Sequence, residues 1–321
     1  MIENKGLKAT SIAVGAATLY AVVLRLFYGI DTWSSLYSVM SITFLFLLPT
    51  IMGVLVVYFS NMKNVKKQSY RIFAPWIPVM VFLIVTIIFS IEGWACWIMI
   101  LPIFLFTSSI GGLIGGYLKI NSSNNQLKIS TLVLLPFLFS PLESMIEKIP
   151  GTYEAYTFID IEAPAEVIWD NVTRVREISE TEDKGYLSNF LGFPRPVKAE
   201  LDFEGVGAYR EAIFTNGLVF HETVTEYVEN KKMVFSIKAN TYEIPSTTLD
   251  SHILIGGDYF DVLNGTYELE ILENGSHRLH LYSHFKMSTT FNFYAGWWGK
   301  WIMKDIQNNI LKIEKQRAEK G

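Results

Sequence analysis

The residues best placed to do chemistry are Arg210 and Glu222, one on each arm of the stretch GVGAYREAIFTNGLVFHETVTE at 205–226. Both arms alternate apolar and polar side chains about Thr215-Asn216-Gly217, and Asn-Gly between alternating runs is a strong hairpin signal. With a three-residue turn, Phe214 faces Leu218, Ala212 faces Phe220, Arg210 faces Glu222 and Ala208 faces Val224. Directly opposed residues share one face of a sheet, so that face is apolar with a single Arg–Glu pair set in it. A two-residue turn would oppose Glu211 to Glu222, two like charges, and is the poorer register. Two environments fit the pair: an apolar interior, or the solvated face that most charged side chains occupy. In an interior it would either fix a packing arrangement or orient a bound molecule.

The other titratable residues form no convergent set. His280 and His284 share strand parity with Tyr282 and Lys286, the more polar face, and His221 shares parity with Thr223 and Thr225. His252 stands two residues after Asp250, which could orient it, while Asp258 and Asp261 point to opposite faces of a strand. A metal centre needs three or four converging ligands, so none is expected. No cofactor is expected either: Gly256-Gly257 lacks the context of a phosphate-binding loop, and no Gly-x-Ser-x-Gly elbow occurs. Cys96 is the single cysteine, which rules out a disulfide within the chain or a thiolate cluster. A net charge of −4 carries no polyanion-binding footprint, so nucleic acid is not an expected partner.

These residues belong to the second of two unlike halves. Over the 321 residues 50% are hydrophobic and only 18% charged, because residues 1–149 are almost free of acids while 150–321 have ordinary globular composition. Four apolar stretches, 9–30, 36–59, 73–91 and 94–118, match the roughly 20 residues that cross a bilayer. A fifth, 129–146, is shorter and contains Pro136 and Pro141, so a re-entrant or interfacial segment is its alternative. Lys5 and Lys8 precede the first stretch, Lys63, Lys66, Lys67 and Arg71 separate the second and third, and Lys119 and Lys128 separate the fourth and fifth. The alternate connections, 31–35 and 92–93, contain no Lys or Arg. The positive-inside rule then predicts a bacterial-type plasma-membrane protein with a cytoplasmic N-terminus, and five spans would put the C-terminal half outside. Four spans would leave it in the cytoplasm. Arg25, Glu92 and Glu143 fall at predicted outer ends, where Arg25 can snorkel to the interface. Ser108, Gly111, Gly112, Gly115 and Gly116 form small-xxx-small repeats that allow close helix contact and offer a face for self-association. With no ionisable group in mid-membrane, the bundle reads as an anchor rather than a transport path.

In the C-terminal half, a strand at 153–161 leads through Pro164 into a short helix at 164–172. A second short helix at 174–180 and a loop at 182–196 follow. Strands are expected at 197–203, 208–214, 218–228, 233–239, 252–271 with a break near 263–265, and 278–288. A long helix at 293–317 closes the chain, with Tyr294, Trp297, Trp298, Trp301, Ile302, Ile306, Ile310 and Ile313 on its apolar face and Lys300, Lys304, Gln307 and Lys315 opposite. Only that helix can cover the apolar face of the sheet, which makes an α+β domain.

This order resembles the START-like, or SRPBCC, helix-grip superfamily of polyketide cyclases and lipid-transfer domains. The resemblance is carried by IDIEAPAEVIW (159–169), EGVGAYREAIFTNGLVFHETVTEY (204–227), GGDYFDVLNGTYELE (256–270) and NFYAGWWGKWIMKDIQNNILKIEKQRAE (292–319). It implies a mostly apolar cavity between sheet and helix. Arg210 and Glu222 would be its polar pair, lined by Ala212, Phe214, Phe220 and Val224 from the hairpin. Leu279, Leu281, Phe285 and Met287 would join from the last strand, and Trp297, Trp301 and Ile302 from the helix. The same side chains could instead simply fill the core. The expected partner is a membrane lipid or hydrophobic small molecule held by a binding protein. The alternative is a cyclase/dehydratase-like enzyme with Glu222 or a histidine as acid/base. Because only a few residues join 147 to 153, the domain would sit against the bilayer, with Trp297, Trp298 and Trp301 near the interface.

Overall fold

In the computed structural model, residues 2–121, 126–146, 150–240 and 255–320 are described, and the chain divides into two compact units, Met1–Lys148 and Ile149–Gly321.

The first unit is helical: α1 (Ile2–Tyr28), α2 (Leu48–Phe59), α3 (Met62–Val65), α4 (Gln68–Phe73), α5 (Trp76–Ile88), α6 (Trp94–Asn121) and α7 (Gln126–Ser144). Ala9–Tyr28, Gln68–Ile88 and Trp94–Asn121 are each long and apolar enough to cross a membrane, whereas Thr43–Phe59 and Ile129–Ser144 are shorter. The second apolar stretch becomes helical only at Thr43 rather than at 36. Its free N–H groups are taken by Glu143, whose carboxylate accepts from Ile42 N at 2.7 Å and Thr43 N at 2.9 Å, a side-chain answer to the unpaired donors of a helix start. At the other end of α2, Lys119 donates to the carbonyls of Tyr58 and Ser60.

Arg25 is buried and paired with Glu92, and it donates to Ile91 O at 3.1 Å. α7 runs unbroken through both prolines. Pro141 has no N–H to give Phe137 O, and the Tyr37 hydroxyl donates to that carbonyl at 3.2 Å instead. The glycine stripe of α6 is used within the chain. A Cβ on Gly111 or Gly115 would strike the α2 backbone at Thr50 and Val54, and one on Gly112 or Gly116 would strike Arg71 of α4. The close helix contact that these small residues allow is therefore made within the chain, against α2 and α4.

The second unit is one antiparallel sheet with a helix along it. Its elements are β1 (Gly151–Ile161), α8 (Ala165–Thr173), α9 (Leu187–Leu191), β2 (Pro196–Leu201), β3 (Tyr209–Phe214), β4 (Val219–Val228), β5 (Lys232–Ala239), β6 (Phe260–Ile271), β7 (His277–Met287) and α10 (Asn292–Lys320). The strand order is β1-β7-β6-β5-β4-β3-β2. The expected helix at 174–180 is absent. That segment is extended, with Val175 O accepting from Ala199 N at 2.9 Å and Ile178 N donating to Val197 O at 2.7 Å. It thereby covers the β2 edge, which would otherwise expose unpaired backbone groups. The short helix of the region is α9, inside the expected loop. β6 is continuous, and its expected break is a bulge between Val262 and Asn264. The start of the expected strand at 252–254 lies outside the described residues.

β3 and β4 adopt the register with the three-residue turn: Arg210 pairs with Glu222, Ala212 with Phe220 and Ile213 with Val219. Asn216 and Gly217 have φ of 61° and 76°. This left-handed stretch suits Asn and Gly and closes the hairpin without splaying its strands.

α10 is rotated from its expected orientation. Gly296 lies against the Tyr153 ring and Gly299 against the Phe285 ring, where a Cβ would come within 2.5 Å and 2.7 Å of ring atoms. Those two glycines bring α10 close to β1 and β7, so the face toward the sheet is Gly296, Gly299, Met303, Gln307, Leu311, Glu314 and Ala318, at spacings of three and four. Trp297 and Trp301 stand about one-third of a turn away and are exposed, while Trp298 and Ile302 are buried.

Candidate functional site

Arg210 and Glu222 are each 3% exposed, with Arg210 Nη1 2.5 Å from Glu222 Oε2. Arg210 Nε donates to Thr173 O at 3.1 Å and Nη2 to Val172 O at 3.3 Å. Those are carbonyls at the C-terminal end of α8, where the helix leaves acceptors unpaired and favours a cation. The guanidinium also lies over the Phe235 ring, 5.3 Å from its centroid. The ion pair is thus interior and tied into α8, β4 and β5. Burial pushes the Glu222 carboxyl above its ordinary range, and Arg210 pulls it part of the way back.

The predicted lining residues fall into three groups around this pair. Ala212, Phe220 and the half-buried Phe214 pack with Leu218, Val262, Ile313 and Met303. Val224 and Leu281 pack at the other end with Trp169, Leu311 and Ala318. Phe285 joins Ala155, Met287 and Tyr153 beneath the first turns of α10. Arg210 and Glu222 stand one strand step from each of the first two groups. Trp297 and Trp301 are not part of this interior; Gly296 and Gly299 turn them outward.

A second buried acid, Glu314 of α10, also lies in this interior. It is 1% exposed, and among the described residues neither of its carboxyl oxygens has a hydrogen-bond partner. Burial pushes it up to about 8, against the pull of Arg317, Arg210 and Arg176. Tyr267 stands beside Arg210 in the same region, and burial raises its hydroxyl well above the ordinary value. Near neutral pH Glu314 is therefore a neutral carboxylic acid facing an apolar interior, able to donate one hydrogen bond and accept others. Sequence reasoning missed it because the aromatic and isoleucine positions of α10 drew the helix face elsewhere. The available signal was the row of small and polar residues at three-four spacing, Gly296 to Ala318. Gln307, expected on the solvent side, lies on the same row. It is fully partnered, with Nε2 donating to Ala155 O at 3.1 Å and Ser283 Oγ at 2.9 Å, and Oε1 accepting from Thr157 at 3.1 Å.

The other candidates are spread over the outer face of the sheet. His280 meets Tyr156 and Glu270, His284 meets Asn264, and His221 meets Tyr209. Among the described residues no three His, Cys, Asp or Glu side chains converge as metal ligands would. Asp250 and His252 lie outside the described residues. A cleft of about 460 Å³ opens elsewhere, between the 174–177 segment and β2, lined by Arg174, Arg176, Lys198 and Glu200.

One helix lying along a seven-stranded antiparallel sheet fits the helix-grip arrangement. No protein-family model matches the chain, and no curated protein does. Among solved structures the chain is similar to the Zhui aromatase/cyclase from a Streptomyces species, at 12% identity over 53% of this chain and 95% of that one, with a TM-score of 0.34. It is similar to a START superfamily protein from Mycobacterium smegmatis at 13% identity, over 53% of this chain and 99% of that one, with a TM-score of 0.34. A protein from Nitrosospira multiformis gives 17% identity over 52% of this chain and 96% of that one, with a TM-score of 0.31.

Proposed function

We propose that this chain is a membrane-anchored protein whose C-terminal domain holds a lipid or other hydrophobic small molecule between its sheet and α10. The observation that carries the reading is Glu314. A polar group buried without a partner costs on the order of 1–3 kcal/mol, and such groups are rare in folded proteins. A ligand whose polar end meets Glu314 removes that cost, with Ala212, Phe214, Phe220 and Ile313 lining its apolar body. Arg210 is committed to Glu222 and two carbonyls, so Glu314 is the free polar anchor. The long apolar helices of the first unit support membrane attachment. A second reading, an enzyme of the cyclase/dehydratase kind, rests on the same residue. A carboxylic acid kept neutral near pH 7 is poised to give a proton to a leaving hydroxyl. In that reading Glu314 takes the role expected of Glu222.

Mass spectrometry of the organic extract of purified full-length protein tests both readings. The binding reading expects a stoichiometric amphiphile that is lost in Glu314→Leu, a variant that keeps its fold because it removes a buried carboxyl without a partner. The enzymatic reading expects Glu314→Gln to retain a molecule heavier by one water than the one the unaltered protein carries. If neither protein carries a small molecule, both readings fail.

A further inference from the structure

We propose that the first half of α10 docks on the surface of a lipid bilayer through Phe293, Trp297 and Trp301, with Lys300 and Lys304 beside them. The proposal rests on the reading that the first unit anchors the chain in a membrane. The three aromatic residues are 70%, 54% and 47% exposed and recur every fourth residue, forming one stripe down the helix. The two indoles are held in place: Trp297 lies 5.4 Å from Trp301, and each lies 5.2 Å from the buried Trp298. The stripe is turned away from the sheet because Gly296 and Gly299, about one-third of a turn round the helix, seat α10 on Tyr153 and Phe285. Large aromatics kept outside while glycines go inside reverse the usual economy of a helix, and a contiguous exposed apolar patch marks an interaction surface.

The chemistry of the stripe selects a bilayer over a protein partner. Indole rings favour the boundary between hydrocarbon and headgroups, and flanking lysines keep their stems in the apolar layer and their charge at the phosphates. Residues 292–304 contain Lys300 and Lys304 and no acid, so the stripe complements an anionic headgroup layer. The start of the stripe is fixed within its own unit: the Tyr153 hydroxyl donates to Asn292 O at 3.0 Å, and Lys300 lies 5.6 Å over the same ring.

The test uses the full-length chain reconstituted into phosphatidylcholine vesicles with a minor share of phosphatidylglycerol. In a Cys96→Ala background, single cysteines replace Trp297, Glu273 in the β6–β7 turn, or Leu19 on the exposed side of α1, and each carries an environment-sensitive dye. Lipids bearing a nitroxide should quench the labels at 297 and 19 several-fold more than the label at 273, and aqueous iodide should reach 273 but not 297. Adding Phe293→Ala and Trp301→Ala should at least halve the lipid quenching at 297. A label at 297 open to iodide, with the label at 19 quenched by lipid, overturns docking and leaves the anchor standing. A label at 297 shielded from both quenchers means that a protein surface covers the stripe, which also overturns docking. Lipid quenching at neither 19 nor 297 overturns docking and anchor together.

Discussion

Glu314 and the Arg210–Glu222 pair are both buried and ionisable, yet they respond to pH and to substitution differently. For Glu314 the folded-state value of about 8 lies above the ordinary 4.5. Below about 4.5 both folded and unfolded chains are protonated there and the residue costs nothing through ionisation. Between 4.5 and 8 only the unfolded chain is ionised, so stability falls by about 1.4 kcal/mol per pH unit, and above 8 the loss is complete. The expected outcome is that Glu314→Gln matches the unaltered domain at pH 5 and exceeds it by several kcal/mol at pH 9 in denaturant unfolding. An equal difference at both pH values would mean that Glu314 is ionised throughout. For the pair, Arg210→Ala or Glu222→Ala alone leaves an uncompensated interior charge and should cost about 3–5 kcal/mol. Arg210→Met with Glu222→Leu should recover much of that, since an apolar pair can fill the same site. Single losses of a few tenths of a kcal/mol would show that the interior is wet.

The strands of this domain are joined by their own pairing, and the two long sides of α10 do different work. The row toward the sheet packs Leu311 and Ala318 into the core and clamps β1 and β7 through Gln307. The neighbouring row holds the segment 176–188. Arg317 donates to the carbonyls of Arg176 at 2.8 Å and Glu177 at 2.7 Å and pairs with Glu182. Asn309 binds Asp183 at 2.8 Å, and Asp305 accepts from both N and Oγ of Ser188 at 2.8 Å. The Arg317 guanidinium and Ser179 hold the Glu182 carboxyl down to about 2. Because this network adds to the few apolar anchors of the segment, Ile178 and Leu187, Arg317→Ala should loosen it selectively. Amide hydrogen exchange is expected to accelerate at least tenfold over 176–188 while β4 to β7 stay protected. Uniform acceleration would mean that Arg317 supports the whole domain.

For the whole molecule, the proposed membrane anchoring predicts on which side of a bilayer the second unit stands. Lys63, Lys66 and Lys67 precede the apolar helix Gln68–Ile88, Arg71 lies in its first turn and Lys119 in the last turn of Trp94–Asn121, while the connections at 31–35 and 92–93 carry no Lys or Arg. A cytoplasmic N-terminus with five crossings places the C-terminus outside, and a reporter active only outside the cytoplasm should work when fused after Gly321. Activity of a cytoplasmic reporter alone would mean that the helix Ile129–Ser144, one of the two shorter ones, does not cross.

Several features were legible in the residues themselves because they depend on local chemistry. The β3–β4 register follows from Asn216-Gly217 and from the repulsion of Glu211 and Glu222 in the alternative. The apolar helices and the long closing helix follow from composition and periodicity. Other features were decided by contacts between distant segments. Residues 174–180 have no helix of their own because the β2 edge offers them backbone partners. Arg25 stays buried because Glu92, far along the chain, meets it. The facing of α10 was the largest such decision. Periodicity allowed the tryptophan face inward, but only the rings of Tyr153 and Phe285, brought together by the pairing of β1 with β7, show that the helix must approach through Gly296 and Gly299. That close approach carries Glu314 inward and Trp297 and Trp301 outward, and a helix's facing is set by the shape of the surface it meets.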